Sequence, residues 1–364
     1  MDKFNSTYYI LYGSCALIAF LLACILDKNN LRSNFVKLGF LYIGAVILLF
    51  GFRDLEVGSD TGLYAWQYTN TEEVESWGTD FFINILFSIL KLFFGNDPVT
   101  FFMFMAIAFN GTIFLTTYYI SKIYSVNILF ILFTFFSLFF YKTLGINIIR
   151  QGVSLGFFIL GIVLFFNRNK NKSKIPLICT FILCILFHFT SIIPIALLFT
   201  INYSYKKIPI KYFYILYVVS IILSFFNFGF NTIIDSSLVS TVDERRSSYL
   251  DANASDGLYL VGFKPQFVIF NSFFLLLFIY LKNRMDKKNI KDTMYLVIFE
   301  LFILLSCIFF LFFHIPYSDR WGVMSWILIP FLMMPYFNKK YNDKIPFAVI
   351  VLGLVGIFIF FSNL

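Results

Sequence analysis

Apolar residues in this chain come in long unbroken runs rather than in the alternation of a half-buried strand. The segment ALIAFLLACIL, within residues 8–26, is typical, and comparable runs recur along the whole sequence. A helix needs roughly 20 consecutive apolar residues to cross the hydrocarbon core of a bilayer. Continuous rather than alternating runs point to α-helices and away from a transmembrane β-barrel. The pattern therefore predicts an all-α polytopic membrane protein.

Two runs depart from simple spans. Residues 81–94 are short, carry Lys91 and end in GNDP, a stop signal, so they predict an interfacial or partly inserted helix on the outer side. Residues 175–200 would form a single helix about 39 Å long, enough for one tilted span. His188 and Pro194 in FHFTSIIP instead predict a break, because proline kinks or ends a helix. A break gives two half-length helices meeting outside.

The sign of the loops supports that choice. Loops 27–37, 167–174, 202–211, 282–292 and 338–344 are basic. Loop 53–80 sets one arginine against seven carboxylates, and loop 231–262 sets two against five. The positive-inside rule assigns the basic set to the cytoplasm, and the acidic loops fall outside by elimination. With a break near His188 every basic loop stays inside. The resulting expectation is roughly twelve membrane segments, both termini outside, and a single integral membrane domain over 1–364.

Composition agrees. Of 364 residues, 60% are hydrophobic and 13% charged, against about 25% charged in an average soluble domain. Mean hydropathy is +0.83. The net charge of +8 sits in short loops and calls for no nucleic acid. Residues 8–26 lack a basic n-region and a small-residue cleavage site, so they read as an uncleaved first helix. The five cysteines, Cys15, Cys24, Cys179, Cys184 and Cys307, all fall inside apolar runs without zinc-ligand spacing, which predicts buried free thiols.

The topology gathers polar residues on one face. GFRDLEVGSDTGLYAWQY, residues 51–68, places Arg53, Asp54, Glu56, Asp60 and Tyr64 at the outer end of the second helix. Asn147 and Arg150 lie at the outer entry of the 148–166 helix. His188 is at the outer break, Arg245 and Arg246 are in the second outer loop, and His314, Asp319 and Arg320 precede a helix over 321–337. Each has a plainer reading. Arg53 also reads as a cation snorkelling to headgroups, His188 as a satisfied core histidine, Asp319–Arg320 as an interfacial ion pair, and Arg245–Arg246 as loop solvation. Trp66, Trp77, Trp321 and Trp326 read equally as membrane-interface anchors or sugar platforms. Arg150 is the exception, since charge inside a span is costly and usually partnered.

Guanidinium groups bind phosphate through paired hydrogen bonds. A nearby carboxylate can deprotonate a hydroxyl or stabilise an oxocarbenium-like centre, and Tyr and Trp offer flat faces to sugars. The set suits a lipid-linked phosphate or pyrophosphate donor and a carbohydrate acceptor. Walker A, G-x-S-x-G, H-E-x-x-H and CxxC patterns are absent from the sequence.

FRDLEVGSDTGLY resembles the first outer-loop signature of the EpsG-type membrane proteins. GINIIRQGVSLGFF is similar to their N-x-[IL]-R-Q segment, LFHFTSIIPIALL to their H-x-[ST]-[SA] break, and DRW to their C-terminal arginine. The order and spacing hold over about residues 35–335. The resemblance implies a GT-C-like helical bundle with its active site under the first of the two larger outer loops, 53–80 and 231–262. It implies a bacterial surface-polysaccharide polymerase of the Wzy or EpsG kind in the cytoplasmic membrane, with its active site on the outer face. It carries Arg53, Gly58, Ser59, Asp60, Thr61 and Tyr64 into the first motif, Asn147, Arg150 and Gln151 into the second, His188 and Ser191 into the third, and Arg320 into the fourth. Asp54 and Glu56 also fall in the first motif, so the identity of the base stays open. The implied substrate is an undecaprenyl-pyrophosphate-linked oligosaccharide. Membrane lipid, and a flippase and chain-length regulator of the same pathway, are the implied partners. No cofactor is expected, with a divalent metal left open.

Three rivals use related parts. A lipid-linked-sugar flippase predicts polar residues at mid-membrane and on both sides, whereas here they crowd one face. A membrane O-acyltransferase takes its acyl donor from the cytoplasmic side. A ligase differs only in its acceptor.

Overall fold

The computed structural model describes residues 2–26, 35–70, 81–167, 173–233 and 261–362. Among these the chain is helical throughout, with no strands. Five helices are long and apolar enough to cross a membrane: Lys3–Ile25, Pro98–Tyr124, Ile149–Phe166, Pro265–Lys287 and Thr293–Leu311. Six shorter apolar helices of 10–17 residues accompany them. The expectation of roughly twelve membrane segments thus meets five full-length spans among the described residues.

The chain divides into two compact units, Met1–Ile192 with Met333–Leu364, and Ile193–Leu332. The first contains α1 (Asp2–Leu26), α2 (Val36–Gly51), α3 (Thr61–Thr69), α4 (Phe81–Phe94), α5 (Pro98–Tyr124), α6 (Ile128–Phe136), α7 (Tyr141–Ile146), α8 (Ile149–Phe166) and α9 (Ile175–Phe187). At its centre α2 packs on α5, α5 on α8, and α8 on α9. The start of α5 follows from sequence: Asp97 accepts from Val99 N–H at 3.0 Å and Pro98 takes the first turn. Gly156 of α8 lies against Thr112 of α5, and Gly161 against the Phe181 ring of α9. Small residues at such contacts let membrane helices approach closely.

Helix α4 has the boundaries expected for the interfacial segment. It buries Ile83, Leu86, Phe87 and Leu90 and exposes Ile85, Ile89, Leu92, Phe93 and Phe94. Its buried side is stapled to α3. Tyr68 donates its hydroxyl to Gly95 O at 2.8 Å and meets Phe87 edge-on, while Lys91 Nζ donates to Thr69 O at 3.2 Å.

The break near His188 is present. Helix α9 ends at Phe187, His188 is extended (φ −154°, ψ 106°), a 3-10 turn covers Phe189–Ser191, and α10 (Ile192–Ser204) follows. Each half has 13 residues. At 1.5 Å per residue that is about 20 Å, less than the hydrocarbon thickness. Pro194 falls in the first turn of α10, where a missing N–H is tolerated.

The second unit is built on α11 (Lys211–Phe225), α12 (Pro265–Lys287) and α13 (Thr293–Leu311), with α11 packed on α13. The helix expected over 321–337 is not continuous. It is replaced by α14 (Asp319–Trp326), α15 (Ile329–Met333) and a 3-10 turn, Met334–Phe337, the last of which belongs to the first unit. Pro330 and Pro335 explain the interruption, since each removes a helical donor. The chain closes with α16 (Phe347–Ser362), which packs on α1 in the first unit through a Tyr12–Phe358 stack at 3.9 Å.

Two expectations about single residues need correction. Cys15, Cys184 and Cys307 are buried free thiols, but Cys24 and Cys179 are exposed on the protein surface, where the helix surface faces outward from the bundle. Trp326 is neither an anchor nor a platform. It is buried, donating Nε1–H to Asn271 Oδ1 at 2.6 Å, because its indole fills the space between α12 and α13 beside Phe267, Phe270 and Phe309.

Candidate functional site

The first motif starts where α2 ends. Arg53 turns inward and is 4% exposed. Its Nε donates to Thr61 Oγ1 at 3.1 Å and its Nη1 to Phe50 O at 2.7 Å. The guanidinium lies 4.1 Å from the Phe102 ring centroid on α5. Nη2 is buried without a hydrogen-bond partner among the described residues. Burial pushes this guanidinium down to about 10, with Tyr64 acting in the opposite sense, so it remains a cation at neutral pH. The snorkelling reading of Arg53 therefore does not hold: the side chain braces the loop from within.

The loop folds around that brace. Thr61 Oγ1 donates to Val57 O at 2.5 Å, and Val57 N–H to Asp54 O at 3.0 Å. Gly58 has φ +91°, and a Cβ there would overlap Asn147 Oδ1, so both backbone conformation and space require glycine. Ser59 N–H donates to Asn147 Oδ1 at 3.1 Å, and Ser59 Oγ donates to Asp60 Oδ1 at 2.8 Å. Asp54, Glu56 and Ser59 face outward, and Asp60 and Tyr64 are half-buried. Asp60 also begins α3, its carbonyl accepting from Tyr64 N–H at 3.0 Å.

Asn147 follows α7, and three residues later Arg150 stands in the first turn of α8, half-buried, next to the buried Gln151. One turn further along α8, Ser154 Oγ donates to Cys184 O at 2.6 Å and lies 2.6 Å from Ser191 Oγ. Ser191 N–H in turn donates to His188 O at 3.0 Å. His188 is half-buried. The first three motif segments are thus joined inside one unit, the first to the second by Ser59–Asn147 and the second to the third by Ser154–Ser191.

The fourth segment lies in the second unit. His314 donates Nε2–H to Ser224 O at 2.8 Å. Tyr317 is left-handed, φ +58°, and Arg320 lies 4.6 Å over its ring. Asp319 and Arg320 open α14, and Trp321 stacks on Phe312 at 3.8 Å. Lys264 Nζ donates to the buried Ser318 Oγ at 2.7 Å. Burial lowers the Lys264 ammonium, with the Asp319 charge acting against that shift. Arg245, Arg246 and Trp77 lie outside the described residues.

Sequence reasoning passed over Ser154, Lys264 and Glu300. Ser154 and Lys264 carry no local signal beyond nearness to a motif. Glu300 had one, a lone carboxylate inside an apolar run. It is 4% exposed in α13, and its buried Oε2 has no hydrogen-bond partner among the described residues. Among the described residues no group of three or more His, Cys, Asp or Glu is placed to hold a metal ion.

No curated protein and no solved structure matches this chain. The EpsG family matches it over residues 36–364, from the first turn of α2 through all the motif segments just described. Given that coverage and the linked motif segments, the chain belongs to the EpsG family.

Proposed function

We propose that this EpsG-family membrane protein is an oligosaccharide repeat-unit polymerase. The donor is a glycan on undecaprenyl pyrophosphate, and the acceptor is a sugar hydroxyl of a second lipid-linked chain. Family membership supports the reaction class. The observation that carries the site is the bond from Ser59 N–H to Asn147 Oδ1, which ties the carboxylate-bearing loop to the start of the arginine-bearing helix α8.

In this reading the acceptor oxygen forms a bond to the donor's anomeric carbon as the bond from that carbon to the pyrophosphate oxygen breaks. Asp60 takes the hydroxyl proton, with the exposed Asp54 and Glu56 as alternative bases. The lipid pyrophosphate leaves with the electron pair, and Arg150 stabilises its charge. His188 positions the acceptor or phosphate, and Tyr64 packs on a sugar. Arg53, buried in the loop, acts by holding Thr61 and the Phe50 carbonyl in place. The site works at the outer face of the bacterial cytoplasmic membrane, alongside a flippase and a chain-length regulator of the same pathway.

The test is made on cells lacking the protein. Lipid-linked oligosaccharides and surface polymer are extracted together. Single repeat units accumulating on the carrier with loss of long polymer support polymerisation. Those units reach the outer leaflet if a polymerase is missing; single units confined to the cytoplasmic leaflet support a flippase instead, and loss of an acyl group alone supports an acyltransferase.

A further inference from the structure

His188 occupies the interruption between α9 and α10, and the chain passes from the first compact unit to the second directly afterwards, at Ile192–Ile193. His188 is extended there, φ −154°, ψ 106°, so regular helix geometry does not aim its side chain. Something else must fix it if it is to meet a substrate in one geometry.

One side chain touches both sides of the break. Ser154 is fully buried in α8. Its Oγ donates to the carbonyl of Cys184, one turn before His188, at 2.6 Å. The same oxygen lies 2.6 Å from Ser191 Oγ, three residues after His188. With its proton committed to Cys184 O, Ser154 accepts there, so Ser191 is the donor of that second bond. Ser191 is also fully buried. Cys184 O accepts from His188 N–H at 3.2 Å as well, and Ser191 N–H donates to His188 O at 3.0 Å. Both backbone polar groups of His188 are therefore bonded to residues that Ser154 holds. Ser154 stands four residues after Arg150 on α8, the spacing that puts two side chains on one helix face.

We propose that Ser154 and Ser191 form a clasp that positions His188 relative to Arg150. Ser154 is a positioning residue, acting through the break rather than on substrate. The inference rests on the polymerase reading above, in which His188 and Arg150 serve the same reaction.

The experiment uses the full chain in membranes, with lipid-linked oligosaccharide extracted from cells lacking the protein as substrate. Ser154→Ala, Ser191→Ala, the double variant and His188→Ala are compared for kcat, KM, pH–rate profile and melting temperature. Ser154→Ala is expected to lower kcat by about 10- to 100-fold, as small misplacements of reacting groups do, with KM changed far less. Ser191→Ala, which leaves the bond from Ser154 to Cys184 O intact, is expected to lower kcat in the same direction by less. The double variant leaves neither hydroxyl facing an unpaired one, so melting is expected to recover toward wild type while kcat does not. The limb of the pH–rate profile that disappears in His188→Ala is expected to shift in Ser154→Ala.

Wild-type kcat in folded Ser154→Ala and Ser191→Ala, with His188→Ala impaired, overturns the clasp and leaves the polymerase reading standing. Recovery of kcat together with melting in the double variant also overturns it, since the serines then serve stability alone. If Ser154→Ala does not fold, Ser191→Ala decides alone: unchanged kcat overturns the clasp. Wild-type kcat in His188→Ala overturns the site reading itself, and the clasp with it.

Discussion

Ser59 donates its backbone N–H to the side-chain carbonyl of Asn147, 88 residues away, at 3.1 Å. The bond joins an acidic loop to the helix start that carries Arg150, and it passes beside a glycine whose backbone no other residue adopts easily.

Gly58→Ala tests that junction. An alanine must take φ +91° and place its Cβ on Asn147 Oδ1. A strained backbone of this kind costs about 1–3 kcal/mol. The variant is expected to melt lower and to make little polymer. Asn147→Ala keeps the backbone but loses the bond, so it should lose polymer with a smaller drop in melting temperature. Wild-type chain length in both variants would remove the junction from the mechanism.

Arg53→Leu is expected to be a stability variant. It strips Thr61 and the Phe50 carbonyl of a donor, and leaving buried groups unpaired costs about 1–3 kcal/mol per group. Arg53→Lys cannot supply both bonds and the flat face over Phe102 at once. Both are expected to show reduced folded protein in membranes by thermal-shift assay. A variant that melts like wild type but makes no polymer would instead return Arg53 to direct contact with substrate.

Arg150→Ala is expected to abolish polymer while the protein still accumulates in the membrane. Arg150→Lys keeps the charge but not the planar pair of donors, so partial activity at most is expected. Lipid-linked single units should pile up in the Ala variant, as in cells lacking the protein. Full-length polymer from Arg150→Ala sinks the assignment.

Glu300→Gln asks about a residue outside the proposed site. The carboxyl group is buried, and among the described residues Oε2 has no hydrogen-bond partner; ionising a buried carboxyl group without one is expensive. A neutral amide of the same size is expected to leave melting unchanged or raised, with polymer length unaffected. Glu300→Lys should lower the yield of folded protein, by bringing a cation into the same apolar site. A loss of polymer in well-folded Glu300→Gln would show that the carboxyl group works in the reaction.

The membrane class, the α4 helix and the break at His188 were legible because each is a local property. An apolar run of given length makes a span, the lysine and GNDP end at 81–94 make a short amphipathic helix, and an extended residue before a proline-bearing turn makes a break. Pro330 and Pro335 were equally local signals against one helix over 321–337, and they outweighed the apolar run around them.

The direction of each polar side chain was not local. Arg53 follows an apolar run and reads as a headgroup contact, yet it points inward because Phe50 O, Thr61 and the Phe102 face lie there. Trp326 sits near a helix end like an anchor, yet Asn271, 55 residues away, takes its indole N–H. By itself the sequence determined that this is a helical membrane protein of the EpsG pattern, with its motifs in order along the chain. Only tertiary structure decided which motif residues touch, because hydrogen bonds such as Ser59–Asn147 and Ser154–Ser191 depend on how helices distant in sequence pack, and side-chain spacing along the chain carries no record of that packing.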